Sequence, residues 1–292
     1  MLLIDHANEI CRFFSSFCAI ASSTSLYIEI TFVGSVKSLF MVKHDILNAE
    51  RLRIDGRRPN EVRPIECQSG GLVSGADGSA SVSLGLTKAI AYVYGPRPKT
   101  RRGSQSSEAA AVYVEYRTAT FSAIDRKRRS KGDRQSQERG IWLEGIFKEA
   151  ILVDQYPKSQ IDIFVEILQQ DGSPVSAAIN AITLALVNAG IPMRDLVCSC
   201  TLGVMDNKTT LVDLNNSETE NAAGAAQICI ATYPRTGRIT LCEVESKVPF
   251  TAFQEAMKLG IASCGDIAQS LRAHVVNHAE SKIAFLESFT SL

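Results

Sequence analysis

Histidine is scarce in this chain of 292 residues, and its positions exclude several kinds of catalytic chemistry. The four histidines are His6, His44, His274 and His278, so the long stretch between residues 44 and 274 has none. Without a central histidine, the sequence does not favour a Ser-His-Asp triad, a Cys-His pair or a zinc deaminase centre. His274 and His278 lack the glutamate of a zinc protease motif, and we interpret them as part of a solvated helix face.

Motifs for metals, nucleotides and membranes are also missing. The eight cysteines include no C-x-x-C pair, and their scatter indicates a reducing compartment rather than a zinc or redox motif. No Walker phosphate loop is present. The uncharged run from Phe13 to Ile28 is short for a membrane span, which needs about 20 apolar residues, and acidic residues stand where a signal peptide would be basic. We therefore expect no metal site and no membrane contact.

The most sharply delimited element is a helix between Ser173 and Gly190. Ser173 is a favourable N-cap, Pro174 suits the first helical position, and Gly190 suits the left-handed residue after the end. The residues from Ala177 to Ala189 are apolar almost all round, which predicts a buried core helix. Its N-terminus, with a positive dipole end and backbone N–H groups, is a position where a phosphate could bind.

Strand and helix patterns alternate through the rest of the chain and predict an α+β fold with sheets backed by helices. A hairpin turn is predicted at Ala76–Ser79, and a helix at Gln135–Val153 has an apolar stripe that includes Ile141. The strands are predicted at 65–73, 89–94, 112–117, 161–168, 196–204, 209–214, 226–233 and 238–244, and a long helix follows Pro249. Residues 1–45 differ in composition, and we interpret them as an N-terminal extension that is disordered or loosely attached.

Positive charge is concentrated between Arg97 and Arg134, where eleven Lys and Arg face four Asp and Glu, although the whole chain is neutral. Such an imbalance favours an anionic partner, and a solvated loop is the alternative. Because no aromatic residue follows Phe121 within the charge run, the sequence does not suggest base stacking.

Five motifs in the same order resemble RNase PH-type proteins, over residues 47–285 or so. They are Ile54–Pro59, Ala76–Ala80, Tyr94–Pro96, Ser159–Ile163 and Asn188–Asp195. The likeness is strongest to the eukaryotic exosome core ring subunit whose archaeal counterpart is catalytic. It implies a two-lobed RNase PH-type fold with mixed sheets, with a first lobe at 46–195 and a second lobe with the C-terminal helix at 196–292. It also implies a ring of six such subunits with RNA in the channel.

The resemblance assigns a phosphate site to the turn before the core helix, and this chain departs from the family there. Active relatives read Asp-Gly-Gly-Thr-Arg, whereas this chain has Asp171-Gly172-Ser173-Pro174-Val175. Losing two charge-assisted hydrogen bonds from the arginine removes ~3–6 kcal/mol. We interpret Ser173, Val175 and Ser176 as the remnant of that site.

The family also uses two carboxylates six residues apart. Asp213 matches the first, but Thr219 stands at the second position, with Glu220 one residue further on. Asp213 and Glu220 are therefore vestigial catalytic candidates, and the resemblance gives no confident catalytic residue.

The family's channel-facing basic segment is retained, and it predicts RNA-binding residues at Arg126, Lys127, Arg128, Arg129 and Arg134. We expect a non-catalytic exosome core subunit that guides RNA 3′ ends during 3′→5′ RNA processing and decay, including rRNA processing. No cofactor is expected. Its implied partners are other RNase PH-type subunits, cap proteins, a hydrolytic nuclease and single-stranded RNA, in the nucleus, nucleolus and cytoplasm.

Two alternatives stay open. One is an active phosphorolytic 3′→5′ exoribonuclease that uses inorganic phosphate and Mg²⁺, and the other is an RNA-binding module that works without a ring.

Overall fold

A buried helix packs between two β-sheets in the computed structural model, which describes residues 47–48, 50–99, 109–126, 133–205, 209–221 and 226–290. The first sheet has the order β1-β2-β3-β5-β4. Its strands are β1 (Ile65–Ser69), β2 (Gly78–Leu84), β3 (Thr87–Pro98), β4 (Ala111–Thr118) and β5 (Ser159–Gln169). The sheet is mixed, because β4 and β5 run parallel while the other neighbours are antiparallel.

The second sheet is antiparallel throughout and has the order β7-β6-β8-β9. Its strands are β6 (Cys198–Met205), β7 (Thr209–Val212), β8 (Ala226–Tyr233) and β9 (Arg238–Val244). All eight residues of β6 are buried, which is the burial expected of a central strand covered on both faces.

The helices are α1 (Arg134–Ala150), α2 (Pro174–Asn188), α3 (Asn216–Asn221) and α4 (Phe250–Thr290), with a 3₁₀ turn at Val153–Gln155. Helix α1 covers β4, and α4 packs on β6, β7 and β8 and reaches β1. None of the helices in this described part of the chain is long and apolar enough to span a membrane.

Helix α2 is the centre of the hydrophobic core, as its sequence predicts. It contacts β2, β3 and β5 on one side and β6 and β8 on the other. Its residues from Val175 to Leu186 are all buried. The packing on β2 is close, since a Cβ added at Gly78 would lie 2.4 Å from the carbonyl oxygen of Ala185.

The ends of α2 agree only in part with the prediction. Pro174 begins the helix, and Gly190 follows it with a φ of +72°. Ser173 does not cap the helix with its side chain, however, because its own backbone is left-handed (φ 50°, ψ 39°) and turns the hydroxyl elsewhere.

Other elements differ from the prediction in local detail. Ile141 is 67% exposed and lies outside the buried stripe of α1, which is formed instead by Leu143, Ile146 and Phe147. The predicted turn at Ala76–Ser79 is wrong in place, because Gly78 and Ser79 already belong to β2. Helix α3 is not among the elements predicted from the sequence.

The α+β fold with a mixed sheet backed by helices is confirmed. The boundary between lobes at residues 195 and 196 stays a prediction, since one hydrophobic core contains residues of both sheets. The extension proposed at residues 1–45 lies outside the described residues.

Candidate functional site

The turn that leads into α2 is held in one position by contacts from several sides. Gly172 has a φ of +78°, and a Cβ there would lie 2.0 Å from the carbonyl oxygen of Leu214. Thr87 donates its hydroxyl to the carbonyl of Gly172 at 2.7 Å and accepts the N–H of Asp171 at 3.1 Å. Ser173 donates its hydroxyl to the carbonyl of Leu214 at 3.5 Å. The turn is therefore positioned by contacts within the fold.

A cleft of about 180 Å³ lies at this turn, between the start of α1 and the strands β8 and β9. Ser173, Pro174 and Val175 form its floor, with Gln135, Glu138 and Arg139 on one side and Glu243 and Glu245 on the other. It is the position at which the family resemblance places phosphate.

The charge around this cleft is unfavourable for an anion. Three glutamates line it, and among the described lining residues Arg139 is the only cation. Burial and the neighbouring Glu245 raise the pKa of Glu243, and Arg139 only partly opposes them. The Arg139 guanidinium also lies 5.6 Å from the ring centre of Tyr116 and donates to its hydroxyl at 3.5 Å, so it is directed toward that ring. Among the described side chains, a phosphate in this cleft would meet more negative than positive charge.

The three residues proposed as the phosphate-site remnant do not act as one group. Ser173, Val175 and Ser176 are 5%, 9% and 1% exposed. Val175 presents an isopropyl group to the cleft, whereas the Ser176 hydroxyl lies 2.7 Å from that of Thr201 and accepts a bond from Ser199 at 3.2 Å. Pro174 has no N–H, so the first turn of α2 has one fewer free donor for an anion than a helix that begins with another residue.

Asp213 forms a buried ion pair with Arg63. Its two carboxylate oxygens accept hydrogen bonds from Nη2 and Nε of that arginine at 2.7 and 2.8 Å, and one oxygen also accepts the Arg63 backbone N–H at 3.1 Å. Burial alone would raise the pKa of Asp213, but the hydrogen bonds and charge of Arg63 hold it below its ordinary value. The carboxylate therefore stays ionised, and its oxygens are engaged in holding the fold.

Glu218 is held in the same way by Arg53. Arg53 donates Nε to one Glu218 oxygen at 2.7 Å and Nη2 to the other, and Nη2 also donates to the carbonyl of Asp213 at 3.0 Å. The hydroxyl of Thr219, at the second carboxylate position of the family, donates to the carbonyl of Asn215 at 3.0 Å. Glu220 lies in α3, and its side chain is outside the described residues.

Metal ligation has no evident basis among the described side chains, since no three His, Cys, Asp or Glu residues come together as a cluster that could hold an ion. The expectation that the chain holds no metal stays a prediction, because the side chain of Glu220 is not among them.

The basic segment begins and ends beside the turn at the start of α2. Strand β4 ends at Thr118, and the loop that follows is joined to the end of β5, because Gln170 donates its N–H to the carbonyl of Ser122 at 2.8 Å. At the other end of the segment, Gln135 lines the cleft itself. The two flanks of the segment therefore lie close to the Asp171–Val175 turn.

Of the five predicted RNA-binding residues, the structure describes two. Arg126 is exposed at the end of this loop, and the Arg134 side chain is 91% exposed at the start of α1, where it pairs with Glu138 at 2.9 Å. Lys127, Arg128 and Arg129 lie outside the described residues, so their role stays a prediction.

The sequence did not reveal the two buried arginines. Arg63 and Asp213 are 150 positions apart, and Arg53 and Glu218 are 165 apart, so no local pattern connects them. The acidic wall of the cleft has no local sequence pattern either, since Glu138 and Glu243 come from elements that meet only in the folded chain.

Comparison with known proteins agrees with the family resemblance of the sequence motifs. The model of the 3′ exoribonuclease family, domain 1 (RNase PH) matches residues 61–192. Exosome complex component RRP41 of Bos taurus is 40% identical over 243 residues, which is 83% of this chain and 98% of that protein.

Two solved structures share the fold. The crystal structure of rice (Oryza sativa) Rrp46 is 25% identical, with a TM-score of 0.68 over 76% of this chain and 99% of that one. The Archaeoglobus fulgidus exosome with RNA bound to the active site is similar in fold alone, with a TM-score of 0.64, 21% identity and coverage of 77% and 93%.

Proposed function

Because this chain belongs to the RNase PH family of 3′ exoribonucleases, we propose that it is an exosome core ring subunit that has lost phosphorolysis. The similarity to an exosome component over 98% of that component's length supports the ring role. The resemblance to an exosome with bound RNA and the chain's basic segment support RNA as the guided partner.

The observation that carries the loss of catalysis is the combination of Val175 with an acidic cleft. The family's arginine position holds an isopropyl group, and Glu138, Glu243 and Glu245 line the same cleft. The helix dipole contributes only ~0.3–1 kcal/mol to anion binding. It cannot offset the ~3–6 kcal/mol of a lost bidentate arginine, and nearby carboxylates weaken anion binding further.

The proposed role is therefore to build the ring and guide RNA. The subunit assembles with other RNase PH-type subunits, and its basic segment contacts the phosphate backbone without reading sequence. RNA that is threaded through the ring, below the cap proteins, then passes to a hydrolytic nuclease. The process is 3′→5′ RNA processing and decay, including rRNA processing. The sites of action are the nucleus, the nucleolus and the cytoplasm.

The proposed RNA-guiding role predicts that the RNA affinity of the ring depends strongly on salt concentration, and that this dependence comes from the basic segment. If about five phosphates are neutralised, the logarithm of the RNA affinity of the assembled ring falls with the logarithm of salt at a slope near −3.5. Replacing both Arg126 and Arg134 with Gln reduces that slope by about 1.4, because each lost contact removes about 0.7. The measurement is a fluorescence anisotropy titration of labelled single-stranded RNA at several salt concentrations.

Arg235, which is exposed in the turn between β8 and β9, provides the matched control. Arg235→Gln removes one positive charge from another surface and leaves the slope unchanged, whereas a phosphate contact at that position would reduce the slope by about 0.7. A salt response that is flat, or that changes equally in both variants, would contradict the guiding role.

A further inference from the structure

Two large apolar side chains are exposed in the loop that joins β4 to the basic segment. Phe121 is 71% exposed and Ile124 is 89% exposed. The loop backbone is anchored: Ala119 donates its N–H to Ile167 at 2.9 Å, and Ser122 donates to Ala119 at 3.1 Å. Ser122 itself is buried. Phe121 and Ile124 therefore project from a fixed backbone.

The charge around these side chains indicates the chemistry of their partner. From Arg117 to Arg134 the sequence has seven Lys and Arg against two Asp, and the described Arg126 and Arg134 are exposed. An anionic partner fits this surface best, because it would supply a counter-charge to the exposed Arg126, which lies two residues from Ile124. Flat apolar faces on that partner would fit the exposed ring of Phe121.

Single-stranded RNA has both properties, because each nucleotide has a phosphate charge and a base with a π-face. Resting on the RNA-guiding role proposed above, we propose that Phe121 stacks on an RNA base beside the basic segment. Ile124 packs against an adjacent nucleotide, and Arg126 and Arg134 bind the phosphates. Aromatic residues of this kind add affinity without sequence preference, since every base can stack.

The test compares normal and abasic RNA bound to the full-length chain assembled with its ring partners. Phe121→Ala weakens binding of single-stranded oligouridylate by about 5- to 150-fold, which corresponds to one stacked base. It leaves binding of the abasic oligomer of the same length unchanged, and the salt slope is unaffected because no phosphate contact is lost. Phe121→Tyr retains the stacking and the affinity.

Phe250 is the matched control, since it is also 71% exposed but lies at the start of α4. Phe250→Ala leaves the affinities for both oligomers unchanged. Because Phe121 and Phe250 are both exposed, their replacement does not remove core packing, and thermal unfolding of each variant verifies this.

The outcomes separate this proposal from the one on which it rests. If Phe121→Ala binds oligouridylate as tightly as the wild type while the Arg126→Gln, Arg134→Gln variant loses affinity, stacking is wrong and RNA guiding stands. If neither variant loses affinity, both are wrong. If Phe121→Ala instead releases the subunit from its partners in native mass spectrometry, the loop contacts protein and the stacking proposal is overturned.

Discussion

Two buried arginines fasten the N-terminal part of the domain to the end of β7 and to α3. Arg53 is 1% exposed and Arg63 is 5% exposed, and each forms a two-point ion pair with a buried carboxylate, Glu218 and Asp213 respectively. Each arginine also donates to main-chain carbonyls close to the turn before α2. Asp213, at the family's first carboxylate position, and Glu218, next to its second, therefore act in this chain to hold the loop geometry.

Breaking one of these pairs should be costly, because the remaining charge would be buried without a partner. We expect Arg53→Met to lower the free energy of unfolding by about 3–5 kcal/mol. The double variant Arg53→Met, Glu218→Met recovers a large part of this loss, since it removes the uncompensated carboxylate as well. Urea denaturation of the wild type, both single variants and the double variant measures the coupling.

If the losses of unfolding free energy in the two single variants add up to the loss in the double variant, the ion pair contributes no coupling energy. The exposed pair of Arg134 and Glu138, at 2.9 Å, is the comparison, for which the expected coupling is only about 0.3–0.5 kcal/mol.

At the scale of elements, α4 reaches the end of β1 through a pair of histidines. His274 Nε2 lies 3.0 Å from the Ser69 hydroxyl, and the His278 ring packs by the backbone of Gly70. The two rings stack with centroids 6.2 Å apart, and the buried Nε2 of His278 has no partner among the described residues. This contact differs from the solvated helix face that the sequence indicated.

This contact should make stability depend on pH. Burial lowers the pKa of His274 below 6.5, and burial together with Lys282 and His274 lowers that of His278. The unfolded chain then binds protons more readily than the folded one, so the free energy of unfolding decreases as pH falls through about 6.5 and is retained above it.

Chemical denaturation between about pH 7.5 and pH 5.5 measures the effect. The double variant His274→Gln, His278→Gln should lose less stability over this range than the wild type. Identical pH profiles for the two proteins would contradict the assignment.

Elements with strong local signals can be predicted from the sequence, and those fixed by distant contacts cannot. Pro174 and Gly190 define the ends of α2 because their backbone preferences are local. Ser173 fails as a cap because the close approach of Gly172 to Leu214 determines the backbone there. The six-residue α3 is held by Glu218, whose oxygen accepts the N–H of Asn215 at 2.9 Å and whose partner Arg53 is remote in sequence.

The candidate site can likewise be predicted from the sequence only where its residues form a local motif. The proposed loss of the phosphate-binding arginine can be inferred at Val175 from the sequence, because the family motif that it departs from is contiguous. The acidic character of the cleft cannot, because Glu138, Glu243 and Glu245 meet only when α1 packs beside β9.

At the scale of the whole molecule, a neutral chain separates its charges into a basic segment and an acidic cleft. The flanks of the segment lie close to the turn before α2, so the surface proposed to attract RNA adjoins a cleft whose described lining has more negative than positive side chains. This arrangement suits a subunit that guides RNA past a former phosphate site. A role of this kind would also be a reason to retain the fold in a subunit that, as proposed, lacks phosphorolysis.

The most direct test of this account is the release of nucleoside diphosphates. The ring assembled from this chain and its RNase PH-type partners is incubated with single-stranded RNA, inorganic phosphate and Mg²⁺, with a phosphorolytic RNase PH enzyme as the positive control. Products are separated by chromatography and compared with a reaction that lacks phosphate. We expect no phosphate-dependent diphosphate from this ring while the control produces it. Diphosphate that appears with this chain, and disappears when Asp213 is replaced by Asn without loss of folding, would contradict the account.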